Sequence, residues 1–271
     1  MFLQRALISF TLGPLALYLI YLGGWFYFIP ITLILLLATV EYHQLIRKIG
    51  LQSSAALLVP LVFVTLVAGQ FFEPRVVLTA VLFGLFGALC FGLWLYERRM
   101  SETTAADWFA MSAGVVLLGW FGSHFLQIRG LEQMAWQWTM AAMLSTWIAD
   151  SGAYVVGRFL AGTVFGRHRM SPRLSPNKTI EGYIGGIVLG TLLTVAIGNY
   201  LHLPLSAALA LGLLVSMFSP AGDLGISLLK REAGVKDSGH VFGSHGGALD
   251  RVDSLIWSVT LAYYLALFVT T

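Results

Sequence analysis

Residues 76–95 read VVLTAVLFGLFGALCFGLWL, a run that contains no charged side chain. A helix of about 20 apolar residues spans the hydrocarbon core of a bilayer. The chain repeats such runs along most of its length: 58% of its 271 residues are hydrophobic and 11% are charged. Soluble domains carry about 25% charged residues. The sequence therefore predicts an all-α, polytopic transmembrane protein.

The apolar runs predict about nine transmembrane helices. Their approximate bounds are 6–23, 25–42, 55–69, 76–95, 108–126, 135–159, 183–201, 205–229 and 255–270. The first run is too long, and too closely followed by the second, for a cleaved signal peptide. We expect residues 1–271 to form a single membrane domain, in which 1–130 is structural and 135–271 carries the chemistry.

The basic residues fall almost entirely on one membrane face when nine spans are laid out in order. Fourteen of the sixteen Lys and Arg residues lie on the side of the N-terminus, and Arg75 and Arg129 lie on the other side. Cytoplasmic loops of membrane proteins carry an excess of Lys and Arg. We therefore expect the N-terminus to be cytoplasmic.

Glu41 is the polar exception in the N-terminal half, near the cytoplasmic end of the second predicted span. Ionisable groups near membrane depth are functional candidates. The alternative is an interfacial carboxylate whose side chain reaches outward to water. The sequence leaves both interpretations open.

After residue 135, polar residues concentrate in three regions on the cytoplasmic face. The first begins with Asp150-Ser-Gly-Ala-Tyr and ends with Ser175-Pro-Asn-Lys178-Thr-Ile-Glu-Gly. Its Lys178 ammonium, hydroxyls and backbone amides stand beside the start of a helix, whose dipole favours anions. This pattern predicts a phosphate site, although Ser, Thr and Glu at these positions also suit ordinary helix capping.

The glycines that follow predict close helix packing. Gly182, Gly186 and Gly190 recur every four residues along the seventh predicted span. Small residues at this spacing let a neighbouring helix approach closely.

The second region is Ser219-Pro-Ala-Gly-Asp223-Leu-Gly-Ile-Ser-Leu-Leu-Lys230-Arg231. Asp223, Ser227 and Lys230 share one face at helical spacing. We expect Pro220 to kink or break this helix. The alternative to a functional Asp223 is a buried carboxylate that Lys230 neutralises.

The third region runs from Lys236 to Ser254 and reads KDSGHVFGSHGGALDRVDS. Its glycines provide a backbone that can wrap a ligand closely. Asp250 and Asp253 stand one turn apart where the last helix is expected to begin. Acidic residues at a helix start also complement the helix dipole.

Together the three regions predict a metal and a polyphosphate bound side by side. Asp223 and Asp250 offer the hard oxygen ligands that Mg²⁺ takes together with waters and phosphates. Positive charge for phosphates comes from Lys178, Lys230, Arg231, Lys236 and Arg251. Phosphoryl-type transfer requires such a combination.

Other chemistries fit less well. The chain has no His-Glu-x-x-His zinc motif and no Gly-x-Ser-x-Gly nucleophile elbow, so the adjacent Ser244 and His245 are a weak candidate for serine hydrolysis. The basic residues follow membrane topology and show no nucleic-acid recognition motif. We expect no nucleic-acid partner.

The order of the motifs resembles one enzyme family. Ser227-Leu-Leu-Lys230-Arg231, four residues, Lys236-Asp237-Ser-Gly, then His245-Gly-Gly-x-x-Asp250-Arg251-x-Asp253 is similar to the signature of phosphatidate cytidylyltransferases, the CDP-diacylglycerol synthases. The Asp150, Ser175 and Gly222-Asp223 segments resemble the same family in order. The resemblance covers residues 150–254 with motifs and the N-terminal half by hydrophobic pattern alone.

The resemblance implies a Mg²⁺-dependent reaction of CTP with phosphatidic acid that gives CDP-diacylglycerol and pyrophosphate. It also implies a membrane-embedded homodimer, and we expect this dimer in the inner membrane of a bacterium with the active site facing the cytoplasm. Whether a monovalent cation such as K⁺ lies near the Mg²⁺ is left open by the sequence. We assign catalysis to Asp223, Lys230, Arg231, Lys236 and Asp250, with Asp223 and Asp250 as metal ligands. We assign substrate binding to Ser175, Lys178, Asp237, His245 and Arg251.

One departure from the family is visible. Gly243-Ser244 stands where the family usually has Pro-Gly before His-Gly-Gly. Glycine in place of proline loosens the backbone, so a paralogue that uses another phospholipid-like acceptor is an alternative. A CTP-dependent lipid kinase of the polyprenol or phytol type is a second. A transporter is the third alternative. Polar residues of a transporter should recur through the membrane depth, whereas those of this chain cluster at one face.

Overall fold

The computed structural model describes residues 13–243 and 246–270, and its helices coincide with the predicted spans. They are α1 (Gly13–Leu22), α2 (Gly24–Lys48), α3 (Ala55–Phe71), α4 (Pro74–Glu97), α5 (Thr104–Arg129), α6 (Ala135–Val155), α7 (Ile180–Tyr200), α8 (Leu205–Glu232) and α9 (Leu249–Thr270). Residues 6–12 of the first predicted span lie outside the described residues. Each helix follows an apolar run because backbone hydrogen bonds must be satisfied internally within a bilayer.

Six helices of the described chain are long and apolar enough to cross a membrane: α2, α4, α5, α7, α8 and α9. Helices α1 and α3 are shorter apolar helices. The prediction of a helical, polytopic membrane protein is confirmed. The number of nine spans and the cytoplasmic N-terminus stay predictions.

A short antiparallel hairpin between α6 and α7 was not predicted. It consists of β1 (Arg169–Ser171) and β2 (Ser175–Thr179), which pair Arg169 with Thr179 and Ser171 with Ser175, with a register shift between the two pairs. We expected a loop here, because the polar sequence shows no alternation of apolar residues. Strand β2 leads directly into α7, so the Ser-Pro-Asn-Lys-Thr motif is held as extended backbone.

Pro220 does not break α8, which is helical on both sides of it. Proline removes one backbone donor and crowds the preceding turn, and a helix can absorb this loss where its neighbours tolerate the freed carbonyl. The predicted break at this residue is therefore wrong, and the alternative of a kink stays a prediction.

The described chain forms two compact units. One contains the chain up to Gly130 together with Leu229–Val252, and the other contains Leu131–Leu228 together with the chain from Asp253 onward. The prediction of one membrane domain, structural over 1–130 and catalytic over 135–271, stays a prediction.

Within the first unit, buried tyrosines of α2 form hydrogen bonds to α5. The Tyr42 hydroxyl donates to the Ala110 carbonyl at 2.8 Å, and the Tyr27 hydroxyl donates to the Phe125 carbonyl at 3.1 Å. Helix α5 widens to a π-helix over Val115–Phe121. These contacts fix α2, which carries Glu41, against α5.

In the second unit, α6 and α7 approach closely along the predicted glycine face. A Cβ atom added at Gly186 would lie 2.9 Å from the Ala149 carbonyl, and one at Gly182 would lie 2.7 Å from the Ala153 carbonyl. Because no side chain fits at these positions, the packing role predicted for the glycines is confirmed.

Candidate functional site

Asp250 lies in the first turn of α9 and is the most fully bonded carboxylate of the predicted site. Its Oδ1 accepts from the Lys230 ammonium at 2.7 Å, and its Oδ2 accepts from the backbone N–H groups of Ser238 at 2.9 Å and Gly247 at 3.0 Å. The Asp250 and Lys230 side chains are only 7% and 9% exposed. Gly246 has φ of 81°, and a Cβ there would press on Asp250. The glycine therefore permits the turn that wraps this carboxylate.

Glu41 reaches the same segment from α2. Its carboxylate accepts from the Ser238 hydroxyl at 2.8 Å and from the backbone N–H groups of Ala248 and Leu249, each at 2.9 Å. Glu41 is buried, with 4% of its surface exposed. The alternative of a carboxylate that reaches outward to water is wrong.

Two glycines of the third region make room for Glu41. A Cβ atom at Gly239 or at Gly247 would overlap the Glu41 carboxylate. We interpreted these glycines as backbone that wraps a ligand closely. In the structure they wrap a side chain of the protein itself, which the sequence pattern did not reveal.

Asp223 in the second unit forms an ion pair with Lys178. The Lys178 ammonium lies 2.5 Å from Asp223 Oδ2, and the Ser227 hydroxyl donates to Oδ1 at 3.3 Å. The two charged side chains are 28% and 31% exposed. The lysine that pairs with Asp223 is therefore on strand β2, whereas the alternative interpretation named Lys230.

Asp150 belongs to the same neighbourhood, because the charges of Lys178 and Asp223 both act on it. Asp150 lies near the C-terminal end of α6. The first and second polar regions of the sequence thus meet around Lys178.

Thr179 and Glu181 have structural partners beside this ion pair. The Thr179 hydroxyl accepts from the Gly182 N–H at 3.0 Å and caps α7, while Glu181 lies 2.5 Å from the His168 ring. The helix-capping interpretation is confirmed for Thr179. Lys178 is the member of this motif that points to an acidic partner.

The remaining predicted site residues are more exposed. Arg231 donates to the Val235 carbonyl at 3.1 Å just beyond the end of α8. Four of the predicted site residues are exposed: Arg231, Lys236, Asp237 and Arg251. Ser175 on β2 is partly exposed. His245 and Ser244 lie outside the described residues.

The donor chemistry fits Mg²⁺ that arrives with a polyphosphate. Within residues 13–243 and 246–270, no group of three or more His, Cys, Asp or Glu side chains could hold a metal by itself. Mg²⁺ is usually bound by one or two carboxylates, with waters and substrate phosphates completing its octahedron. Asp223 and Asp250 are carboxylates of this kind. That both bind one Mg²⁺ stays a prediction.

Comparison with known proteins identifies the relatives of this chain. It is 35% identical over 292 residues to the phosphatidate cytidylyltransferase of Synechocystis, an alignment that covers 96% of this chain and 95% of the relative. It is 38% identical over 161 residues to the phosphatidate cytidylyltransferase of Bacillus subtilis, covering 58% of each chain. The enzyme of the same name from Staphylococcus epidermidis is 37% identical over 169 residues, covering 62% of this chain and 61% of the relative.

A family model covers almost the full length. Residues 3–269 match the model described as the cytidylyltransferase family. The match includes the N-terminal helices, for which the resemblance rested on hydrophobic pattern alone. The chain belongs to the cytidylyltransferase family.

Proposed function

We propose that this protein transfers the cytidylyl group of CTP to phosphatidic acid and releases pyrophosphate, giving CDP-diacylglycerol for phospholipid biosynthesis. The proposal is carried by one observation: each predicted metal-binding carboxylate is bonded to a lysine, Asp223 to Lys178 and Asp250 to Lys230. A site for polyanions needs such cations. The Synechocystis relative, which aligns with this chain over 95% of its own length, is a phosphatidate cytidylyltransferase, and this supports the same reaction.

In this reaction a phosphate oxygen of phosphatidic acid attacks the α-phosphorus of CTP. The bond from that phosphorus to the oxygen bridging the β-phosphate breaks, and pyrophosphate leaves. A phosphomonoester with a second pKa of about 6 is largely dianionic at neutral pH. The attack therefore needs no strong base, and the protein's task is to hold two polyanions in line.

Lys178 and Lys230 supply the positive charge for this task. An ammonium group has three N–H donors, so each lysine can keep its carboxylate partner and still donate to phosphate oxygens. Lys236, Arg231 and Arg251 are exposed and would attract phosphates from solution. Bound Mg²⁺ would neutralise charge on the phosphates, with Asp223 and Asp250 as its protein ligands.

We propose nine membrane spans with a cytoplasmic N-terminus and a cytoplasm-facing site in a bacterial inner membrane. The distribution of Lys and Arg supports this orientation, and CTP is a cytoplasmic substrate. A homodimer is proposed on the family resemblance alone, and a monovalent cation such as K⁺ beside the Mg²⁺ is a further option that the labelled-CTP assay can test by replacing K⁺.

The proposal is tested with purified protein in detergent, Mg²⁺, phosphatidic acid, and CTP labelled separately at the α- or the γ-phosphate. Lipid label from the α position alone, with pyrophosphate released, is the expected result. Lipid label from the γ position would identify a lipid kinase. No label from either would point to another acceptor and overturn the proposal.

A further inference from the structure

Glu41 joins two distant parts of the first unit. Its carboxylate accepts hydrogen bonds from Ser238, Ala248 and Leu249, which are 197, 207 and 208 residues further along the chain. The segment between these donors precedes Asp250 directly. A residue of α2 thus holds the backbone immediately before Asp250, a predicted metal ligand.

Two of these donors lie at the start of α9. The Ala248 N–H donates to Glu41 Oε1, and the Leu249 N–H donates to Oε2. The first N–H groups of a helix have no partner within the helix, and a carboxylate there also complements the helix dipole. Glu41 therefore caps α9 from another helix and fixes the turn that carries Asp250.

Ser238 adds a direct link between the two acids. Its hydroxyl oxygen lies 2.8 Å from Glu41 Oε2 and 3.0 Å from Asp250 Oδ2, and its N–H donates to Asp250 at 2.9 Å. A serine hydroxyl has one proton to donate, so it serves one carboxylate at a time. Ser238 thus contacts both carboxylates and couples the position of Asp250 to that of Glu41.

We infer that Glu41 is a positioning residue for cytidylyl transfer, which holds Ser238 and the start of α9 so that Asp250 stands in its working position. The inference rests on the proposed function. Glu41 is buried and is hydrogen-bonded to Ser238, Ala248 and Leu249, so it acts through these three residues.

The test is the isosteric variant Glu41→Gln, assayed for α-phosphate transfer with kcat normalised to folded protein. Whichever way the amide is turned, its NH₂ faces the N–H of Ala248 or of Leu249, and one bond is lost. Small displacements of a reacting group cost up to about 100-fold in rate. We expect kcat to fall about 10- to 100-fold, with a smaller change in the KM for CTP.

A matched control is Asp107→Asn. Asp107 of α5 is also buried in the first unit. Its carboxylate accepts at 2.7 Å from the N–H of Gln52, which lies in the loop between α2 and α3. This variant changes a buried carboxyl group whose hydrogen bonds, among the described residues, go to Gln52 and Thr103 and leave the Glu41 partners unaltered. We expect a comparable loss of thermal stability with the kcat of the wild type.

If Glu41→Gln does not fold, Gly239→Ala tests the same link, because the added methyl would overlap the Glu41 carboxylate. Gly87→Ala is its control, since a Cβ there lies at an ordinary 3.5 Å from Leu61. We expect kcat to fall in Gly239→Ala alone.

If the wild type is active and Glu41→Gln has the same kcat, this inference alone is overturned. If Glu41→Gln is unfolded, an unchanged kcat in Gly239→Ala has the same meaning. A wild type without α-phosphate transfer would overturn the proposed function and the inference with it.

Discussion

The ammonium of Lys178 lies 2.5 Å from the carboxylate of Asp223, which joins strand β2 to helix α8 by a partly exposed ion pair. Exposed ion pairs contribute only about 0–1 kcal/mol to stability. Loss of this pair should therefore change the stability of the protein little, so a large effect of a Lys178 variant on activity would indicate that the lysine contacts substrate.

Lys178→Ala is expected to lower kcat/KM for CTP by about 100-fold, because removing one donor that stabilises transition-state charge typically costs this much. The thermal unfolding temperature should change little. Lys48→Ala, which removes an exposed lysine at the end of α2, is the control and should keep wild-type kinetics. Equal kinetics for both variants would show that Lys178 does not contact phosphate.

The Lys230–Asp250 pair is buried, so its two members are expected to behave differently from Lys178. Removing one partner of a buried pair costs about 3–5 kcal/mol, because the other charge is left uncompensated. Asp250→Asn should therefore unfold at lower denaturant concentration and lose activity. The double variant Lys230→Met/Asp250→Asn should regain part of the stability and remain inactive.

Activity with normal Mg²⁺ dependence in Asp250→Asn would show that the metal assignment is wrong. Denaturant unfolding in detergent and the labelled-CTP assay, run on the same preparations, separate the effect on stability from the effect on transfer.

The Thr179 hydroxyl caps α7, so its loss should be a stability effect. Replacing a capping Thr by Ala costs about 1 kcal/mol, and Thr179→Ser should restore the cap. We expect Thr179→Ala to lower the unfolding temperature. Its KM for CTP should equal that of Thr179→Ser. A large rise in KM confined to Thr179→Ala would indicate a phosphate contact instead.

Gly243→Pro introduces the residue that the family usually has, and we expect it to be harmful in this chain. Gly243 has φ of 59°, and its N–H donates to the His240 carbonyl at 2.9 Å. Proline fixes φ near −65° and has no N–H. Stability should fall by more than about 1 kcal/mol. Gly243→Ser, which keeps the N–H, is a milder comparison, and a more stable proline variant would contradict the described turn.

Membrane orientation is tested with single cysteines in a Cys90→Ala background. Arg173 and Arg75 are both exposed and are predicted to lie on opposite membrane faces. An impermeant thiol reagent should label Arg75→Cys in intact cells and Arg173→Cys only after permeabilisation. The reverse pattern would invert the proposed topology.

The sequence was sufficient to locate the helices, because each coincides with an apolar run that a bilayer requires. It did not predict β1 and β2. The segment around Pro176 is polar and carries no alternating pattern, so its strand pairing depends on the flanking helices. Helix α8 is also continuous through Pro220, which the local preference of proline did not predict.

The sequence predicted which residues belong to the candidate site better than it predicted which of them contact one another. Helical spacing suggested Lys230 as a partner for Asp223, because periodicity reports only neighbours on one helix. The partner in the structure, Lys178, comes from a strand 45 residues earlier in the chain. Glu41 was recognised as unusual, but nothing local could identify Ser238, Ala248 and Leu249 as its donors.

The bonds between Glu41 and the segment 238–249 also set an order for biosynthesis. At a synthesis rate of about 5–20 residues per second, the donors emerge roughly 10–40 s after Glu41 itself. During that interval α2 holds a carboxylate whose eventual donors have not been made. The hydrogen bonds that hold α2 to the start of α9 can therefore form only after Leu249 has been synthesised, 208 residues after Glu41.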